Sequence, residues 1–165
     1  MKISKLISLL LLFVFAFSLA SCGEDEPPVN DEWAEVFSDG GMSITLTSKF
    51  YNSLTGSATP SYRSAEVSVT TQKTAFTTVG TSILTPESYA REIMSSSGIS
   101  EEVKGLGGCA YFSSTVTLDV EELFYSAFCY KSADSYWVVK FFTAIELRSK
   151  YETRFIEWAE TVKFE

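Results

Sequence analysis

The sequence predicts an α+β domain in which an antiparallel sheet packs against helices, and three observations carry that expectation. The final third holds three successive β-rich runs, 108–118, 121–130 and 136–146, joined by short polar connectors. Two earlier stretches, 42–47 and 65–70, alternate apolar with polar residues, the pattern of a half-buried strand. Two further stretches, one opening at Thr85-Pro86 and one spanning about 146–160, carry helix signals.

In chain order, Trp33 to Phe37 is short and apolar-rich and reads as a strand, although Trp33, Val36 and Phe37 would also mark one helical turn. Asp39-Gly40-Gly41 then punctuates, and Met42 to Thr47 alternates, so a hairpin is expected. Residues 49–64 are polar, contain Gly56 and Pro60 and show no period, so they read as an exposed loop. In the next strand Ala65, Val67 and Val69 give one buried face and leave one wet. Residues 75–81 form a threonine-rich connection. Thr85 then offers a hydroxyl cap, Pro86 suits the first helical position, and Glu87 meets the positive end of the dipole. Tyr89, Ile93 and Met94 supply the inner stripe of that helix, and the serines to Gly98 end it. Glu101-Glu102 is expected to begin a further turn.

The strands that follow carry Phe112, Phe124, Tyr125, Phe128, Tyr130, Tyr136, Trp137, Phe141 and Phe142, which implies a sheet covered over much of its surface. In the last helix Leu147, Tyr151, Phe155, Trp158 and Ala159 line one face; Ile156 falls off that stripe. Thr161 to Phe164 reads as a short terminal strand.

Ahead of the domain, Lys2 and Lys5 precede an apolar run from Leu6 to Leu19, followed by the small pair Ala20-Ser21, the order of a secretory signal. The run has 14 residues. A spanning helix needs about 20. Leu19-Ala20-Ser21-Cys22 resembles the bacterial lipobox, and that resemblance implies a cut before Cys22 and lipid on its thiol. An ordinary cleaved signal with a cysteine nearby is the plainer alternative. The implied organisation is a lipoprotein signal peptide over 1–21, a lipidated cysteine and acidic tether over 22–31, and a folded domain over 32–165. Within the 22–31 segment, residues 23–30 hold three acids and two prolines without an aromatic, which suits a tether, since they bury too little to offset ordering. Two or three acyl chains would hold the domain firmly at a membrane surface outside the cytoplasm. Gly23 stands where an aspartate would favour inner-membrane retention in such lipoproteins.

The chain has 13 basic and 21 acidic residues, and losing Lys2 and Lys5 with the leader takes the net charge from −8 to −10. With no run of Lys or Arg, nucleic acid and anionic headgroups are poor partners. A hairpin turning at Asp119-Val120 would set Cys109 and Cys129 close to opposite each other. They would then form a disulfide worth about 3 kcal/mol, or stay reduced as two small buried hydrophobes. A slip of one residue in register would send one of them to the other face.

Several phrases together resemble bacterial lipoproteins of the PsbP-like superfamily, whose fold is shared with the DcrB-like proteins and the Mog-type nuclear import factor. They are "GMSITLTSKF" (41–50), "TPESYAREI" (85–93), "YKSADSYWVVKFF" (130–142) and "FIEWAETVKF" (155–164). The resemblance covers most of 33–164 and implies an α-β-α sandwich, a central antiparallel sheet flanked by helices. It also implies docking or assembly roles rather than a particular chemistry.

The chain contains no histidine, which excludes histidine-based triads and the commonest zinc ligand. "GLGG" (105–108) lacks the lysine and hydroxyl of a phosphate loop and reads as a turn. Asp119, Glu121 and Glu122 do not have EF-hand spacing and read as a solvated turn. No metal or cofactor is therefore expected. Two functions remain. One is a membrane-anchored, non-catalytic binding or scaffolding module for an envelope protein, with Tyr136 and Trp137 as a contact surface. The other is a carboxylate-dependent hydrolase or a small-ligand-binding protein, with Glu121, Glu122 and Asp134 as candidate acids. A deep pocket with two converging carboxylates would mark the enzyme.

Overall fold

The computed structural model describes residues 33–53, 59–79 and 83–165. The leader, Cys22 and the acidic tether lie outside the described residues. The strands are β1 (Ala34–Asp39), β2 (Met42–Thr47), β3 (Tyr51–Asn52), β4 (Ser61–Arg63), β5 (Val67–Ala75), β6 (Lys104–Leu106), β7 (Cys109–Leu118), β8 (Glu121–Lys131), β9 (Ser135–Ala144) and β10 (Lys163–Phe164). The helices are the single turn α1 (Phe76–Val79), α2 (Pro86–Ser97) and α3 (Arg148–Ala159), the last preceded by a 3-10 turn at Ile145–Leu147.

Seven strands form one antiparallel sheet in the order β3-β4-β5-β9-β8-β7-β6, and three form a second, β1-β2-β10. Alternation along each strand divides the large sheet into two faces. On one lie Val69, Phe124, Phe128, Tyr130, Trp137, Val139 and Phe141, covered jointly by α3 and by Met42, Ile44 and Leu46 of the small sheet. On the other lie Ala110, Phe112, Tyr125, Ala127, Cys129, Tyr136 and Val138, against Tyr89, Ala90 and Met94 of α2. The predicted α+β class and antiparallel sheet between helices are observed. The small second sheet, which shares one face with α3, was not expected.

Local chemistry explains most boundaries. Gly40 and Gly41 close the first hairpin at φ 60° and 85°, positive values that glycine adopts freely and that match the twist of paired strands. Thr85 caps α2 by accepting from the Ser88 N–H at 3.2 Å. The helix ends at Gly98 (φ 69°), where the Ile99 N–H reaches the Met94 carbonyl at 2.9 Å. Phe155 of α3 is fully buried and stands 5.2 Å from the Phe141 ring, 6.2 Å from Phe124 and 6.1 Å from Trp158. Ile156, off the predicted stripe, is partly buried and packs on the same core.

Three expectations change. The 49–64 segment is not simply an exposed loop: it holds buried Phe50 and Tyr62 and the short strands β3 and β4. Strands of two and three residues are too short to show a period. Residues 75–79 are the end of the nine-residue β5 and the turn α1, and no helical turn forms at Glu101-Glu102.

Candidate functional site

Of the two states expected for the cysteine pair, the reduced one is found. Cys109 and Cys129 are both free and buried. The register pairs Cys109 with Tyr130 and Ala110 with Cys129, so the thiols are offset by one residue and leave the sheet on opposite sides. Cys109 Sγ turns to the Leu106 carbonyl at 3.2 Å. Burial raises the Cys109 thiol to about 11 and the Cys129 thiol to about 12, so neither is a ready nucleophile.

Tyr136 and Trp137 do not form a contact surface either. Both are buried, because β9 is an interior strand whose first residues are covered on both faces. Tyr136 stacks on Tyr89 at 4.5 Å and donates to the Leu84 carbonyl at 3.2 Å. Trp137 points to the opposite face and meets Phe164 at 5.2 Å.

The candidate acids do not converge. Glu121 and Glu122 are exposed at the start of β8, and Asp134 lies in the connector beyond its far end. Asp134 is held below the ordinary carboxylate range by Ser135, Ser132 and Lys73, the last 3.5 Å away. Glu66 is likewise lowered, by hydrogen bonds from Lys150 and Tyr151 at the surface. Among the described residues no group of three or more metal-ligating side chains occurs. An open hollow beyond the end of α2, lined by Arg91, Met94, Ser95, Ser100 and Glu101, carries one charge of each sign beside two serines and no second carboxylate.

A different feature emerges on the α2 face. α2 packs on β7 and β8. Tyr89 carries that cover onto Tyr136 of β9 and Thr74 of β5, and Val138 is buried in the same cluster; from Lys140 onward along β9, and across β5 and β4 beside it, no described helix packs on that face. At its centre is Lys140. Its ladder partners are Thr70 on β5 and Ala127 on β8, and Val138 and Phe142 flank it along β9 on the same face. Ser68 and Gln72 extend the face along β5, and Arg63 joins it from β4, opposite Ser68. Phe142 is only partly buried and stacks on Tyr125 at 5.5 Å.

Lys140 is partly buried and makes no ion pair or hydrogen bond with the described residues. Burial lowers its pKa below the usual 10.5, while the nearby Cys129 acts in the opposite sense. An ammonium withdrawn from water without a counter-charge is costly, and such groups concentrate at functional sites. The arrangement can hold an anion: one amine, hydroxyls on the β5 side and an aromatic floor on the β9 side. Lys140 was readable as the single charge inside "YWVVKFF" (136–142). Its place beside Thr70 needs the β5–β9 pairing, which the sequence does not reveal.

No protein-family model matches the chain, and no curated protein matches it in sequence. Solved structures do. The solution structure of cyanobacterial PsbP (CyanoP) from Synechocystis sp. PCC 6803 superposes with a TM-score of 0.52 over 89% of this chain and 99% of that one, at 14% identity. The fold is PsbP-like. A crystal structure from Bacteroides thetaiotaomicron VPI-5482 superposes with a TM-score of 0.52 over 78% of this chain, at 12% identity. The chain spans about half the length of that protein, 47%. At these identities the likeness extends to the fold alone.

Proposed function

We propose that this protein is a lipid-anchored, extracytoplasmic lipoprotein of the PsbP-like superfamily, beside the DcrB-like and Mog-type proteins, acting as a non-catalytic binding module. Its partner docks on the open part of the sheet around Lys140. The single observation that carries the docking reading is a half-buried amine without a counter-charge on a sheet face that no described helix covers there. Support for the anchor comes from the lipobox-like Leu19 to Cys22 and the acidic segment behind it. The scattered positions of Glu121, Glu122 and Asp134 favour binding over carboxylate catalysis.

Two experiments test the two halves. Cys22→Ser should abolish incorporation of labelled palmitate and release the protein from the membrane fraction; retained label would refute the anchor. A photo-crosslinking residue at Gln72, on the open face, should capture a defined envelope protein. The same probe at Glu157 on α3 should not. Equal capture from both positions would refute a docking face at β5 and β9.

A further inference from the structure

We propose that the open face is a binding site for a carboxylate carried on an apolar or aromatic body, with Lys140 as its anchor and Phe142 as its platform. This rests on the docking reading above and gives it a chemistry. Three features point the same way. The central cation is single and partly buried, with Thr70 directly across the ladder to share an anion. A carboxylate matches one ammonium and a hydroxyl, whereas a phosphate dianion would need more donors than stand next to Lys140. On the same face the incompletely covered Phe142 stands next to Lys140 along β9 and forms an aromatic floor, backed by the buried Tyr125 ring at 5.5 Å. That floor would bury an apolar body and recover the hydrophobic free energy of its contact.

The negative charge of the whole domain argues against diffuse attraction of anions, so recognition has to come from close contact. The site therefore selects by shape and desolvation: the ligand replaces the water that Lys140 has lost.

The test uses the full chain in detergent, with isotope-labelled lysine, and benzoate as the probe. Benzoate should shift the Lys140 resonance in a saturable way, while benzamide, the neutral analogue, and inorganic phosphate at matched ionic strength should bind at least about tenfold more weakly. Lys140→Gln should abolish the response. Phe142→Leu, which keeps the core filled, should weaken binding about three- to tenfold. Phosphate binding as tightly as benzoate would overturn the aromatic-body assignment, and an unchanged benzoate affinity in Lys140→Gln, read from backbone amide shifts, would overturn the anchor. A failure here with crosslinking from Gln72 intact would remove the carboxylate proposal and leave the docking face. Loss of crosslinking with benzoate binding retained would do the reverse.

Discussion

Replacing Ala110 with cysteine should create the disulfide that the native cysteines cannot make. Ala110 and Cys129 are direct partners across β7 and β8, and both point beneath α2. Opposed residues in an antiparallel ladder have Cα atoms about 4.5–5.5 Å apart, inside the window a disulfide needs. The native pair has the same short separation along the chain but leaves from opposite faces. Closing residues 110 to 129 removes loop entropy worth about 3 kcal/mol in the chain-entropy model. Position 110 is fully buried, so the added sulfur costs about 1–3 kcal/mol through overpacking. That cost is common to both redox forms of the variant, so comparing them isolates the cross-link. Urea unfolding of Ala110→Cys with and without reductant should differ by about 3 kcal/mol, and the wild type should not respond. Alkylation under denaturing conditions should find free thiols at Cys109 and Cys129 in the wild type and, of these two, at Cys109 alone in the variant. A wild-type protein that loses both thiols on oxidation, with a matching rise in stability, would refute the register.

Lys140→Met should stabilise the domain by about 1 kcal/mol or more at neutral pH, because it removes an unpaired, partly buried charge at nearly constant volume. Folding lowers this lysine's pKa from 10.5. Between the folded and unfolded values the unfolded chain holds more protons, so the wild type gains stability as pH rises through that window. The advantage of Met should therefore be full below the folded value and shrink toward pH 10.5, as followed by denaturant midpoints across pH. Phe155→Ala should cost about 3–5 kcal/mol in chemical unfolding, since it empties the point where α3 meets the sheet. Glu66→Gln should cost at most about 1 kcal/mol at neutral pH, the partners being exposed. Folding lowers the Glu66 pKa, so its contribution is present above the unfolded value of 4.5 and is lost as pH falls through the folded one; acid titration of both variants reads this difference.

Much of the architecture was legible because the signals were local. The Thr85-Pro86-Glu87 cap, the glycine pair at 40 and 41, and the Asp119-Val120 turn each announce themselves within a few residues. Tyr62 and Phe50 were not legible, since strands of two or three residues carry no period and depend on the sheet beside them for their burial. Tyr136 and Trp137 were misread for a related reason: aromatics beside a connector look exposed until the flanking strands enclose β9. Lys140 was visible as an oddity but not as a site, because its neighbours come from strands remote in sequence.

The amino-acid order alone determined the acidic balance, the α+β class and the positions of β7, β8, β9 and both long helices, all properties written in contiguous residues. Tertiary structure decided the rest. Which face each cysteine occupies turned on a single residue of register between β7 and β8. Whether Lys140 meets water, an acid or nothing turned on where α2 lies across the sheet. Pairings between distant segments follow from the packing of the whole domain, and a side-chain period of two makes the smallest shift reverse a strand's faces.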